Sequence, residues 1–420
     1  MQPEQMFEKL LNLGEEWTVK RVELQGEGIA REVVIEVAER PVLWKKLRCP
    51  ETGGEVTCYD HTEELAWRHL NVFEYRCEIR CRLPRAKSRQ TEKVFRVPVP
   101  WEGLSKHFTF GFEAAALLLL REMPVSQVAE LVKESDTRLW RMLFKHVEAA
   151  YAEADFSQVC CVGVDELNVR KGHEYVSVFA DLLAKRVLFA TEGKDKSTWE
   201  RFVQALEAHH GHRHAITQAS MDMSRAYQSG VAQTCRNAQV VFDKFHVICH
   251  ANDAVNQVRR AEIQFGARGV EPTLRGSQWL WRKNPENLTE SEQAHLAQLE
   301  QENLCTAKAY QMRLCLQDIY RLESVQEARA RFLAWCRWVR WIAKKHVSFI
   351  FLSMLKVAQM VEANLQGILA HWKWRLTNAF MEGLNSVFQA TKRKARGYRS
   401  SEYLITMLYL VAGKLRLPHS

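Results

Sequence analysis

Residues 160–181, CCVGVDELNVRKGHEYVSVFAD, constrain the fold more than any other stretch of the chain. Val159, Cys160, Cys161, Val162 and Val164 make a short apolar run that closes on Asp165, and a β-branched run, Tyr175 to Phe179, follows a Lys171-Gly172 turn. Two such runs about a glycine-containing turn predict a hairpin with a carboxylate on its first strand. A carboxylate behind a run apolar on both faces must point into a pocket or find a partner, because an isolated buried charge is costly. Asp165 is therefore a candidate site residue.

Downstream, Val187 to Thr191 predicts a third strand, and Ser197-x-x-Glu200 reads as a capping box opening a helix to about His209. Ala215 to Met223 predicts a fourth strand with Asp222 near its end. A helix from Ser224 follows, and then Val240 to Phe242 leads into Asp243-Lys-Phe-His246. Three antiparallel strands, then helix, strand, helix and strand, make a mixed α/β sheet.

Residues 1–104 read as mostly β. Val33, Ile35 and Val37 alternate, as do Phe73, Tyr75, Cys77, Ile79 and Cys81. Cys58-x2-His61 followed by Cys77-x3-Cys81 has spacings close to a zinc site, whereas strand alternation alone would put Cys77 and Cys81 in a core. From Ser105 the pattern turns helical: Phe112 to Arg121, a break at Met123-Pro124, Gln127 to Lys133 capped by Ser126, and a run through His146 capped by Ser135 or Asp136. Three short helices with tight turns are either a helix-turn-helix, with Arg138, Arg141 and Lys145 outward on its last helix, or trihelical packing without a DNA role.

Residues 251–365 are almost wholly helical, with capping boxes at Thr289-x-x-Glu292 and Ser324-x-x-Glu327 and a stripe of Phe332, Trp335, Val339 and Ile342 that reads as core. This segment looks like an insertion into the sheet domain. Past it, on a helix from Leu376 to Thr391, Asn378, Glu382, Asn385 and Gln389 share one face, and Phe380, Leu384 and Val387 another. Trp372 and Trp374 suit either core packing or stacking on an unpaired base.

The chain has 420 residues, room for two or three domains, and its ordinary apolar and charged content excludes a disordered protein. The longest aliphatic run, Ala114 to Leu120, is too short to span a bilayer, and the start, MQPEQMFEKL, has no signal pattern, so a cytoplasmic protein is expected. Eleven scattered cysteines cannot all pair, which fits a reducing compartment. Of the net charge of +9, the placement matters most: between Gln366 and Arg399 lie Lys373, Arg375, Lys392, Arg393, Lys394, Arg396 and Arg399 against Glu382 alone. A polyanionic partner or a merely solvated basic face would explain this.

Magnesium takes oxygen ligands, and a pair of ions held by shared carboxylates can drive phosphodiester chemistry. Asp165, Asp222 and Glu382, on three different elements, are suited to hold them. Spacing alone does not select these three. The ordered motifs Gly163-Val-Asp165-Glu, Met221-Asp-Met-Ser224, Asp243-Lys-Phe-His-Val247 and Leu376-Thr-Asn-Ala-Phe-Met-Glu382-Gly-Leu-Asn385, with Lys392-Arg-Lys and Gly397-Tyr-Arg after them, resemble the ISL3 family of bacterial insertion-sequence transposases over roughly residues 45–415.

That resemblance implies an α/β, RNase H-like mixed-sheet catalytic core with a large α-helical insertion, preceded by a β-rich, degenerate zinc-knuckle region and a helix-turn-helix. The expected boundaries are 1–104, 105–156, 157–250, 251–365 and 366–420. It implies a DDE triad of Asp165, Asp222 and Glu382 binding two magnesium ions, with manganese as a substitute, and places Asp243 and His246, with Asn378 and Asn385, beside the site. Terminal inverted repeats and target DNA are the implied partners, held by Arg138, Arg141, Lys145, Arg375, Lys392, Arg393, Lys394, Arg396 and Arg399, with the protein a homodimer or larger on DNA. Alternatives are a repressor descended from a transposase, and a nuclease that cuts without joining. One departure stands out. Where the family commonly has two cysteine pairs, this chain reads Cys49-Pro-Glu-Thr52 and Ser88-Arg-Gln-Thr91, so only Cys49 remains a thiol and zinc is in doubt.

Overall fold

Two sheets organise the computed structural model, which describes residues 2–28, 31–169, 175–266, 270–302, 304–345, 349–374 and 379–418, without the side chains of Trp374, Ala379, Phe380 and Glu382. The chain divides into two compact units, residues 1–154 with 387–420, and residues 155–386.

The first unit opens with α1 (Pro3–Leu10), β1 (Trp17–Gln25), β2 (Glu32–Glu39), α2 (Val42–Lys46), β3 (Val56–Val72), β4 (Tyr75–Ser88) and β5 (Val94–Arg96). The sheet order is β1-β2-β4-β3 with β5 on β4, and only the β2–β4 pair is parallel. Period-two alternation delivers Val33, Ile35, Val37, Cys77, Ile79 and Cys81 to one core, together with Trp17 and Trp67, which meet Trp101 edge-on at 5.0 and 5.8 Å. Phe73 breaks the expected alternation: it sits in the β3–β4 turn with φ of 55° and is 88% exposed.

The same register separates the candidate zinc ligands. Cys58 lies opposite Ala86, His61 opposite Pro84, Cys81 opposite Leu65 and Cys77 opposite His69. At a rise of ~3.3 Å per residue, Cys77 and Cys81 alone are ~13 Å apart, too far to share an ion. Burial pushes both thiols up to about 12, so they remain protonated core groups. His61 instead hydrogen-bonds Glu39 at 2.7 Å. The Cys58, His61, Cys77, Cys81 set is not a zinc site.

Three helices follow, α3 (Phe110–Glu122), α4 (Val125–Val132) and α5 (Asp136–Ala152). Thr109 caps α3, and Pro124 rather than Ser126 precedes α4. Lys133, at φ of 54°, turns the chain, and Ser135 caps α5. Buried Glu113 accepts from the Leu104 and Ser105 N–H groups at 2.7 Å each and contacts His146 Nε2 at 2.9 Å, tying the preceding loop to α5. Arg68, 1% exposed, joins the sheet to these helices by donating to the carbonyls of Cys77, His69 and Val132 and to Asn71, while facing the Phe112 ring.

The second unit carries β6 (Cys161–Asn168), β7 (Tyr175–Asp181), β8 (Arg186–Glu192), α6 (Lys196–Ala208), β9 (Gln218–Met221), α7 (Arg225–Thr234) and β10 (Gln239–Phe242). Strand order is β10-β9-β6-β7-β8, antiparallel from β6 to β8 and parallel from β6 to β10. The fourth strand is shorter than its apolar run, because Arg213–Ala215 forms a 3-10 turn. Asp195, not Ser197, caps α6, which packs Phe202 flat on Phe179 at 4.5 Å. The Lys171-Gly172 turn lies outside the described residues.

Helices α8 (Lys244–Phe265), α9 (Val270–Leu274), α10 (Glu290–Gln301), α11 (Cys305–Ile319), α12 (Val325–Lys345), α13 (Leu352–Ala363) and α14 (Leu365–Trp374) follow the sheet. The Thr289/Glu292 capping box opens α10, and buried Glu262 receives the Cys305 and Thr306 N–H groups that start α11. At Ser324 only the forward half of the box forms, its Oγ accepting the Glu327 N–H at 3.3 Å. Trp372 is packed, donating to the Leu322 carbonyl at 2.7 Å and stacking on Tyr320. Helix α15 (Ala379–Lys394) begins in the second unit and ends in the first, where α16 (Ser401–Ala412) closes the chain.

Candidate active site

Strand register brings the acids together. Gly163 pairs with Ser220 and Met221 with Phe242, so continuing the ladders past their last rungs sets Asp165, Asp222 and Asp243 level on β6, β9 and β10. Asp222 and Asp243 directly follow the carboxyl ends of β9 and β10, where open α/β sheets place their ligands, and Asp165 stands level with them on β6, which runs on to Asn168 beside β7. Each end is tied down locally: Asp222 accepts the Ser224 N–H at 2.9 Å, and Asp243, buried at the start of α8, accepts the Phe245 N–H at 2.9 Å.

Asp165 is half-buried. One oxygen accepts the Glu166 N–H at 2.7 Å and the other the Asn385 side-chain amide. Burial holds its carboxyl above the usual range, with the Asp222 charge adding and His246 opposing. Helix α15 reaches this face because Gly163 lets it: a Cβ there would lie 2.7 Å from Leu182 and 3.1 Å from Met381. Glu382 follows Met381 on α15 and precedes Asn385 by three residues, so its backbone lies between these two contacts. Its side chain, with Asn378 and Arg375, is outside the described residues.

Glu166, not singled out from sequence, also belongs here. Burial and then the Asp222 charge raise its carboxyl, and Lys194 stands 4.0 Å away. Tyr227 on α7 hydrogen-bonds it and meets Ser177 Oγ at 2.6 Å. The Asp165-Glu pair was the only signal in the sequence; nothing near Tyr227 or Ser177 marks them. Carboxylates crowded so that burial and the Asp222 charge raise Asp165 and Glu166 are suited to a hard dication, which takes carboxylate oxygens. Among the described residues no three His, Cys, Asp or Glu side chains converge tightly enough to hold an ion.

In the first unit, Arg141 and Lys145 are exposed on α5, Lys145 reaching the Leu104 carbonyl. Arg138 does not point free: it pairs with Glu134 at 2.8 Å and lies over the Phe108 ring. Arg393, Lys394, Arg396 and Arg399 are exposed and Lys392 half-buried. Within this unit Arg399 approaches Asp136 at 3.9 Å, Lys394 reaches the Glu122 carbonyl, and Trp140 on α5 meets Tyr403 edge-on at 4.6 Å. The last basic segment therefore packs with the three-helix element.

A sheet ending in a row of acids, joined in one chain to three short helices with exposed cations, is the arrangement of a DNA-processing enzyme. The family profile for ISL3 DDE transposases, described as "Transposase", matches residues 162–408, and one described as "Helix-turn-helix domain of transposase family ISL3" matches residues 97–147. The chain belongs to the ISL3 family of DDE transposases. It is 26% identical to the transposase for insertion sequence element IS1001 of Bordetella parapertussis, over 86% of this chain and 87% of the relative. It is 24% identical to the transposase for IS1557 of Mycobacterium tuberculosis, over 98% and 97%. No helix among the described residues is long and apolar enough to cross a membrane.

Proposed function

We propose that this transposase binds the terminal inverted repeats of its insertion sequence, hydrolyses the phosphodiesters at the element ends and joins the freed 3′-hydroxyls to target DNA. The level row of Asp165 on β6 with Asp222 and Asp243 at the ends of β9 and β10 is the observation that carries this reading. The strand order and directions match an RNase H-like core, and residues 157–250 and 366–420 are read as its two parts, with 251–365 inserted, 105–156 as the helix-turn-helix and 1–104 as a further DNA-binding region.

Asp165, Asp222 and Glu382 are the proposed ligands for two magnesium ions, or manganese in their place. The chemistry these ions supply when bound is activation of the attacking hydroxyl and stabilisation of the leaving oxygen. The protein groups fix the geometry. Asn385 and the Glu166 N–H orient the Asp165 carboxylate, and the Ser224 N–H orients Asp222. His246, which opposes the rise in the Asp165 pKa, would balance charge beside the phosphate. In the first step water oxygen bonds to phosphorus and the 3′ oxygen leaves as a hydroxyl. That hydroxyl then attacks a target phosphodiester, displacing its 3′ oxygen.

Arg141, Lys145, Lys392, Arg393, Lys394, Arg396 and Arg399 are proposed phosphate contacts, and two copies of the chain would pair the two ends. The test is cleavage and joining of labelled end DNA in magnesium by the wild type, Asp222→Asn and Glu382→Gln. Metal-dependent joining that both substitutions abolish, with DNA binding kept, supports the reading. Tight binding without cleavage by the wild type overturns it in favour of a repressor, and cleavage without joining favours a nuclease.

A further inference from the structure

Two short turns in the first unit repeat one another bond for bond. In the turn from Cys49, Sγ accepts the N–H groups of Glu51 and Thr52; in the turn from Ser88, Oγ accepts those of Gln90 and Thr91, at 3.4 and 3.3 Å. The Cys49 carbonyl accepts the Gly53 N–H at 2.8 Å, and the Ser88 carbonyl the Glu92 N–H at 3.0 Å. Cys49 N–H donates to Gly54 and Ser88 N–H to Lys93, at 2.9 and 3.0 Å. The fifth residue of each turn is left-handed, Gly53 at φ of 67° and Glu92 at 59°.

The turns face each other. The Ser88 and Thr52 hydroxyls both hydrogen-bond Cys49 Sγ, Ser88 is fully buried, and Lys93 pairs with Glu51 at 2.8 Å across the gap. Two facing turns, each offering side chains at its first and fourth residues, are the framework of a four-ligand structural zinc site. Here the Thr52 and Ser88 hydroxyls stand beside Cys49, Thr91 fills the fourth position of the second turn, and serine and threonine are not ligands for structural zinc.

We propose that these turns form a metal-free knuckle, in which the Cys49 thiol and the hydroxyls of Thr52 and Ser88 close by hydrogen bonds a site whose four corners, with Thr91, keep the spacing of a zinc centre. Folding of this region is then independent of zinc, yet the framework remains competent to bind it once its thiols are restored.

The experiment compares the wild type with Thr52→Cys/Ser88→Cys/Thr91→Cys, both as full-length chains. The wild type should carry no stoichiometric zinc, show the same thermal transition with and without EDTA, and give no thiolate-to-cobalt absorption with Co(II). The triple variant should bind about one equivalent of Co(II) with that absorption, displaced by Zn(II), and its transition should rise with Zn(II). Should it not fold, Thr52→Cys/Ser88→Cys, with three thiols, is held to the same criteria. A wild type purified with about one zinc, or lowered in its transition by EDTA, overturns the proposal. So does a folded variant that leaves Co(II) unbound.

Discussion

Replacing Asn385 by alanine removes the amide that holds one oxygen of Asp165. The other oxygen keeps the Glu166 N–H at 2.7 Å, so the carboxylate should stay in place but lose one of its two anchors and rotate. A hydrogen bond to a charged group contributes ~1.5–3 kcal/mol. If that energy is felt in the transition state, at ~1.4 kcal/mol per decade the rate falls roughly 10- to 150-fold. Asn385→Asp should be worse, because it adds a like charge to a carboxyl already raised by burial and by Asp222. The assay is single-turnover cleavage of end DNA at saturating magnesium, with DNA affinity measured separately. Gln389→Ala, one turn along on an exposed position, is the control and should cleave normally. Cleavage by Asn385→Ala within twofold of wild type, at unchanged magnesium dependence, would refute the argument that this amide sets the carboxylate's geometry.

Four further outcomes follow from the packing and charge described above. Gly163→Ala should destabilise the second unit by ~1–3 kcal/mol of overpacking and depress cleavage, and Met381→Ala should partly restore both in thermal melts and cleavage assays, because Met381 is one of the groups the new methyl meets. Arg68→Met should cost about 3–5 kcal/mol, the range for breaking a buried charged network, and denaturant unfolding followed by DNA-binding assays should show the helix-turn-helix loosened with it. Cys49 is pulled from 9.0 to about 7 by hydroxyl and N–H donors, so its contribution to stability should grow as pH rises from 7 to 9 and be absent below 7; melts of wild type against Cys49→Ser across that window should diverge only towards the alkaline end. Arg141→Ala should reduce the slope of log affinity against log salt by about 1, without changing preference among end sequences, if it touches phosphate only.

Period and turn chemistry made the strands legible, since alternating and β-branched runs bounded by turn residues follow from short-range rules. The acids at 165, 222 and 243 could be named from sequence, but their alignment could not, because register across β6, β9 and β10 is a tertiary property. Motif spacing misled at Cys58 and His61, where two strands run antiparallel and carry matching residues apart rather than together. Caps were misjudged at Ser126 and Ser197 because Pro124 and Asp195, nearby competitors, start those helices instead. Glu166 escaped notice because the partner that marks it, Tyr227, is distant in sequence and carries no local signature.

The level strand ends also decide which changes in length the chain can absorb. Between Phe242 and Ala379 the path leaves the sheet and touches it again through α14, where Gly367 lies against Phe242, before α15 meets Gly163 and Asp165, so whole turns of helix could be gained or lost ahead of α14 without moving an acid. Strand β9 has no such tolerance. A single residue inserted or deleted among Gln218–Met221 would carry Asp222 to the opposite face of the sheet. Related chains should therefore drift freely in the span of their helical segment while keeping the count from β9 to its aspartate fixed.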